Sequence, residues 1–247
     1  MKERYGLVGH PLGHSFSRRY FTEKFAREHI DAEYLNFDIA DAAELRRIVA
    51  ETPGLRGLNV TIPHKQAVMP LLDEISDEAR EIGAVNVIGI TPHGLLKGYN
   101  SDVTGFRESL RPLLREHHRR ALVLGTGGAS RAVVYGLRRE GIEPRYVSRT
   151  PGEGRIAYDE LTPEIMETHT VIVNCTPVGM FPHTDEAPTL PYALLTPGHL
   201  LYDLVYNPEE TRFLALGREH GAATKNGLEM LHLQAEAGWR CWHEAAD

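Results

Sequence analysis

The sequence predicts an α/β protein of two units, with a C-terminal helix returning to the first unit. Three observations carry this. Short apolar runs alternate with helical patterns along the chain, with no internal repeat and no low-complexity segment. A strand, a glycine-rich phosphate loop and a helix follow one another at residues 121–139, and the first hundred residues hold no such phosphate loop. A length of 247 residues exceeds one average domain and falls short of two large ones.

The elements follow in order. Residues 4–8 read as a strand. Residues 18–29 read as a helix, with Phe21 and Phe25 four apart. A strand at 34–37 and a helix at 42–50 come next, then strands at 58–60, 84–90 and 95–97. The turn chemistry of Thr91-Pro92-His93-Gly94 separates the last two. A helix from residue 102 to 114 leads into Ala121-Leu122-Val123-Leu124, a continuous apolar run of the type a buried parallel strand requires. Residues 129–139 read as a helix, and 145–147, 171–173 and 200–204 as strands. In the last helix, 228–242, Leu228, Leu231, Ala235, Trp239 and Trp242 fall on one face, which is read as core. The expected units are residues 1–100, rejoined by 226–247, and residues 101–225. A cleft between two such units is the default place for a ligand.

Composition narrows the function classes. Hydrophobic residues make up 42% and charged residues 25%, an ordinary globular mixture. The net charge of −7 argues against general affinity for nucleic acid or anionic membranes. The two cysteines, Cys175 and Cys241, form no CxxC, and the thirteen histidines no HExxH, so no metal site is expected. No stretch resembles a signal peptide or a membrane span, and the expected compartment is the cytoplasm.

The glycine turn is the first chemical signal. In Gly125-Thr126-Gly127-Gly128-Ala129, Gly125 permits a tight turn. Gly127 and Gly128 let a pyrophosphate approach the backbone, at a helix N-terminus whose N–H groups are unpaired. Ser130 stands where a third glycine or an alanine usually sits. This makes the second unit a Rossmann-like dinucleotide-binding domain. The next strand ends in Ser148-Arg149-Thr150, where an NAD-binding protein normally places Asp or Glu for the ribose 2′-hydroxyl. The Arg149 guanidinium suits a 2′-phosphate instead, so NADP is the expected cofactor. Arg155 is a further candidate for the phosphate.

In the first unit, Ser15 and Ser17 follow a glycine-rich bend and can present two hydroxyls to one carboxylate. Read alone they serve equally as a turn or a helix cap. Lys65 falls just inside an expected helix start, Asn86 in a strand, and Asp102 at the junction of the units. Taken singly, Lys65 reads as a surface lysine and Asp102 as an N-cap.

Taken together, the motifs are specific. G-x-P-x-x-H-S-x-S, N-V-T-x-P-x-K, G-A-V-N, G-x-N-x-D-x-x-G, G-x-G-G-A, S-R-T, N-x-T-P-x-G-M and G-x-x-M-L-x-x-Q occur in that order from Gly9 to Gln234. This series resembles the shikimate dehydrogenase family. The resemblance implies an N-terminal substrate domain and an NADP-binding domain. It implies reversible NADPH-dependent reduction of 3-dehydroshikimate to shikimate, in aromatic amino-acid biosynthesis. It assigns the substrate carboxylate to Ser15 and Ser17, and ring hydroxyls to Thr61, Asn86 and Gln234, with Asn59 nearby and Tyr206 beside the substrate. Lys65 and Asp102 are the implied catalytic pair. Thr176, Gly227 and Met230 are expected near the coenzyme, and Cys175 is an incidental small residue. A monomer or homodimer is implied.

Three departures accompany the resemblance. Arg18 follows the second serine where the family has proline, and Ser148 replaces an asparagine. The stretch 151–173 is short, which predicts a missing or reduced helix. Two other readings are a quinate/shikimate dehydrogenase that uses NAD and a non-catalytic NADP-binding regulatory module. The retained Lys65 and Asp102 speak against the second.

Overall fold

In a computed structural model describing residues 2–13, 16–150 and 152–246, the first apolar run forms β1 (Glu3–Gly9), an inner strand of the first sheet. Next come α1 (Phe16–Arg27), β2 (Ala32–Asp38), α2 (Leu45–Glu51) and β3 (Leu55–Val60). The expected helix at 42–50 splits: a 3-10 turn at Ala42–Glu44, capped by the Asp41 carboxylate on the Ala43 N–H, precedes α2. β4 (Glu74–Ile75), α3 (Asp77–Ile82), β5 (Val87–Ile90) and β6 (Leu96–Tyr99) complete this run.

The second run is α4 (Asp102–Leu110), β7 (Arg120–Leu124), α5 (Gly128–Arg139), β8 (Glu143–Val147) and β9 (Arg155–Ile156). It continues through α6 (Pro163–Thr168), β10 (Val171–Asn174), β11 (Leu200–Asp203), α7 (Arg212–Glu219) and β12 (Ala223–Lys225). α8 (Leu228–Ala246) ends the chain.

Contacts divide the chain into Met1–Ser101 with Ala235–Asp247, and Asp102–Gln234. The return to the first unit therefore begins inside α8, at residue 235 rather than at 226. The first sheet has the order β2-β1-β3-β5-β6-β4. β1 pairs in parallel with both neighbours, while β5 runs antiparallel to β3 and β6. Its core includes Val8, Leu45, Leu58 and Ile88. On another face, Phe21 and Phe25 of α1 meet Tyr5, Tyr34 and Trp242. Trp242 reaches the sheet because Gly57 has no side chain: a Cβ there would lie 2.2 Å from the indole. Ala235 and Trp242 of the expected apolar face are buried, but Leu228 is 39% exposed and is not core.

The second sheet is entirely parallel, in the order β12-β11-β10-β7-β8-β9. Counted from β7 this is 3-2-1-4-5-6, so the strand order reverses between β7 and β10, and ligands of such sheets bind at that point. Residues 121–124 are fully buried, as their unbroken apolar run requires. α4 stops at Leu110 and gives way to a 3-10 turn at Arg111–Leu113, where Pro112 has no N–H for a continuing helix. The stretch 157–170 holds one helix of six residues, α6, the reduced helix its shortness predicts. Among the described residues, no helix is long and apolar enough to cross a membrane.

Candidate functional site

In the first unit the polar residues of interest stand on α1, the strand ends and the loop after β3. Ser15 lies outside the described residues. Ser17 occupies the second position of α1 and hydrogen bonds to the buried Tyr34 phenol, whose ionisation burial pushes to well above the ordinary range. The Tyr34 hydroxyl donates to Asn59 Oδ1 at 2.6 Å. Ser17 and Asn59, both expected at the substrate, are therefore joined through Tyr34. A tyrosine in an apolar strand offers no sequence signal for that task.

Thr61 follows β3, and its N–H donates to the Val8 carbonyl at 2.9 Å. Lys65 is half-buried. The expected helix around it is absent, and residues 62–68 are a run of turns before a 3-10 turn at Met69–Leu71. His64 is 3% exposed with Nε2 2.7 Å from the Ile39 carbonyl, and the Lys65 carbonyl accepts from the Val85 N–H at 2.8 Å. The lysine backbone is thus stitched down on both sides.

Asn86 immediately precedes β5 instead of lying within it. Its Oδ1 accepts from the Ser101 N–H at 2.7 Å and its Nδ2 donates to Ser101 Oγ at 3.1 Å. Gly238 of α8 faces this cluster, with its built Cβ position 3.4 Å from Asn59 Nδ2 and 3.8 Å from Ser101 Oγ.

The second unit collects its candidates at the C-terminal ends of β7, β8, β10 and β11. Gly125 has φ of +96°, a backbone state that glycine adopts without strain, and a Cβ there would come 2.9 Å from Thr176 Cγ2. Its N–H donates to the Val147 carbonyl, and the Cys175 N–H to that of Leu124, both at 2.9 Å. Three strand ends are tied together in this way. Gly127 caps α5, and a Cβ on it would meet nothing within 4 Å. Thr126 and Gly127 are exposed, and Gly128 and Ala129 half-buried. Ser130 is fully buried, and its hydroxyl donates back to the Gly127 carbonyl at 2.7 Å. The serine thus braces the turn where a third glycine is usual. An open glycine edge at the N-terminus of a twelve-residue helix is a cradle fitted to a pyrophosphate.

Ser148, Arg149 and Thr150 leave β8, with the Thr150 N–H donating to Ser148 Oγ at 3.3 Å. Arg149 is exposed and lies near Tyr158, where its charge opposes the upward push of burial on that phenol. Arg155 is exposed on β9.

At the ends of β10 and β11 lies a buried polar network. Asn174, Asp203 and Thr211 are each 0% exposed. Asn174 Nδ2 donates to Asp203 Oδ1 at 2.9 Å, the Val205 N–H donates to the same oxygen at 3.0 Å, and the Thr211 hydroxyl donates to Oδ2 at 2.6 Å. Asn174 Oδ1 accepts the Thr176 hydroxyl at 2.6 Å and its N–H at 3.0 Å. Burial pushes the Asp203 carboxyl up to about 6 against these three donors. Burial likewise raises the Cys175 thiol, which suits an inert residue.

Tyr206, directly after Val205, is 37% exposed. Gly227 is required where it stands, because a Cβ would lie 2.2 Å from the Leu204 carbonyl oxygen. Met230 is 6% exposed and packs with Phe106 and Tyr202. Its side chain lies in the core of the second unit. Lys65 belongs to the first unit, whereas Asp102, buried at the start of α4, and Gln234 belong to the second. A carboxylate in the first turn suits the α4 dipole.

Comparison with known proteins adds the following. Residues 7–88 match the family described as "Shikimate dehydrogenase substrate binding domain". The shikimate dehydrogenase (NADP(+)) of Caldanaerobacter subterraneus subsp. tengcongensis is 36% identical over 255 residues, covering 96% of this chain and 90% of that protein. The shikimate 5-dehydrogenase of Thermus thermophilus, solved in complex with NADP(H) and shikimate, superimposes with a TM-score of 0.85 at 33% identity, over 98% of this chain and 94% of the other. A quinate dehydrogenase from Corynebacterium glutamicum in complex with NAD has a TM-score of 0.86 at 26% identity, over 98% of this chain and 94% of its own.

Proposed function

The chain belongs to the shikimate dehydrogenase family, and from that premise we propose how its residues carry out reversible reduction of 3-dehydroshikimate to shikimate with NADPH. The observation that carries the reading is end-to-end similarity, at 96% coverage of the chain, to an NADP(+)-dependent shikimate dehydrogenase. The cradle at Gly125, Gly127 and Gly128 supports NADP as cofactor, with Ala129 and Thr126 alongside it and Thr176 packed against Gly125. Arg149, with Ser148 and Thr150, is assigned to the 2′-phosphate, and Gly227 to the nicotinamide side. When bound, NADPH supplies the hydride that reduces the C3 carbonyl.

The residues of the chain supply position and charge. Ser15 and Ser17 hold the substrate carboxylate. Thr61, Asn86 and Gln234 hold ring hydroxyls, and Asn59 and Tyr206 flank them. Asn86 is rigid for this work, since both ends of its amide engage Ser101. Lys65 stabilises negative charge developing on the carbonyl oxygen and delivers the proton to it. Asp102 orients Lys65 and keeps it charged.

The quinate reading is favoured less by similarity, with 26% identity to the quinate dehydrogenase against 36% to the Caldanaerobacter enzyme. Side-by-side turnover of shikimate and quinate, each with NADP⁺ and NAD⁺, separates the two. Shikimate with NADP⁺ is expected to give the highest kcat/KM of the four. A higher value for quinate with NAD⁺ would overturn the assignment.

A further inference from the structure

We propose that Asp203 is a positioning residue that holds, from one buried carboxylate, both the coenzyme-side turn at Thr176 and the turn that carries Tyr206. The inference rests on the coenzyme and substrate roles given above to those two residues. Asp203 is the last residue of β11 and has no exposed surface. A carboxylate in such a place is costly unless donors surround it. Three donors do: Asn174 Nδ2 and the Val205 N–H on Oδ1, and the Thr211 hydroxyl on Oδ2.

The arrangement determines which way the Asn174 amide faces. Its Nδ2 must point at the acceptor-only carboxylate, so its Oδ1 points the other way. That oxygen receives both the hydroxyl and the N–H of Thr176. Thr176 in turn presses its Cγ2 toward Gly125, the turn residue of the cradle. On the other side, the carboxylate holds the Val205 N–H, one residue before Tyr206. Thr211 anchors the whole to the start of α7, where its hydroxyl also caps the Leu214 N–H. Packing alone would be served by an apolar residue of similar volume. A fully buried ion facing three donors, at the point where two functional turns leave adjacent strands, is spent on orientation.

The test uses the full chain with Asp203→Ala, Asp203→Asn and Thr176→Val, alone and combined. NADP⁺ dissociation constants are measured by direct titration without shikimate, alongside steady-state kinetics and thermal melts. Asp203→Ala is expected to weaken NADP⁺ by roughly 10-fold and to raise the shikimate KM, with kcat within about 3-fold of the parent. Asp203→Asn keeps an acceptor oxygen and is expected to recover most, not all, of the coenzyme loss. Because Asp203 acts through Thr176, the effects on NADP⁺ should not add in the combined variants. Should Asp203→Ala fail to fold, the cycle between Asp203→Asn and Thr176→Val is read the same way, with a loss of about 2- to 5-fold that disappears in the Thr176→Val background. A variant that melts lower yet binds NADP⁺ and shikimate as the parent does, or effects that simply add, would overturn the proposal. A parent that binds NADP⁺ but does not turn over shikimate would instead sink the functional reading and leave the coenzyme titrations interpretable.

Discussion

Ionising Asp203 works against the fold even with three donors in place, because burial raises its carboxyl from 3.8 to about 6. A raised folded-state value means that the protonated form favours folding. The contribution is fully present below the ordinary carboxylate range, fades between about pH 4 and 6, and is gone above that. Its size is on the order of 3 kcal/mol, from about 1.4 kcal/mol per pKa unit. Asp203→Asn removes the ionisation. The stability of the parent relative to Asp203→Asn should therefore fall by up to that amount between pH 4 and 8 in denaturant titrations. A constant difference across that range would show that the carboxyl is not displaced. Arg149 gives a second prediction at this scale. A charge-assisted hydrogen bond contributes about 1.5–3 kcal/mol, so Arg149→Ala should cut kcat/KM for NADP⁺ by roughly 10- to 150-fold and leave NAD⁺ turnover nearly unchanged. An equal fall for both coenzymes would point to damage of the turn. The position of Arg149 was legible in the sequence, because it closely follows the strand after the glycine turn. The Asp203 network was not, because nothing local says that Asn174 and Thr211 converge on that carboxylate from two other places in the chain.

Elements whose own pattern decides them were equally readable. β7, α5 and α8 have unbroken apolar runs or strong one-sided periodicity, and they appear within a few residues of where the pattern puts them. β4, β9 and β12 have two or three residues each, and α3, α6 and α7 have six to eight. Such pieces are too short to show a period and are held by neighbours and caps, such as Ser76 on the Ala79 N–H for α3 and Thr162 on the Ile165 N–H for α6. α8 contributes large buried side chains to the first unit. Trp242 is 1% exposed, seated over Gly57 and against Tyr5 and Phe21. Lys24 of α1, itself buried, donates to both Glu236 carboxylate oxygens at 2.9 and 3.0 Å, so that α1 and the return helix are joined by charge as well as by packing. Trp242→Ala should lower stability by about 3–5 kcal/mol in chemical denaturation. A loss below about 1 kcal/mol would mean that the return helix is not core to this unit.

At the scale of the whole chain, the two units divide the proposed chemistry. The first supplies Lys65 and the polar set from Ser17 through Tyr34 to Asn59, with Asn86 fixed by Ser101. The second supplies the glycine cradle, Arg149 and the Asp203 network at the strand-order reversal of a parallel sheet. Lys65 is the proposed proton donor and charge stabiliser, and its substitution is the most direct measurement. The rate of shikimate-dependent NADPH formation should be followed by absorbance for the parent and for Lys65→Ala, with NADP⁺ binding checked in both. A cation that acts mainly in the transition state predicts a fall in kcat of about 10²–10⁴-fold, a modest change in shikimate KM and unchanged NADP⁺ affinity. A Lys65→Ala variant that keeps the parent kcat would contradict the catalytic assignment.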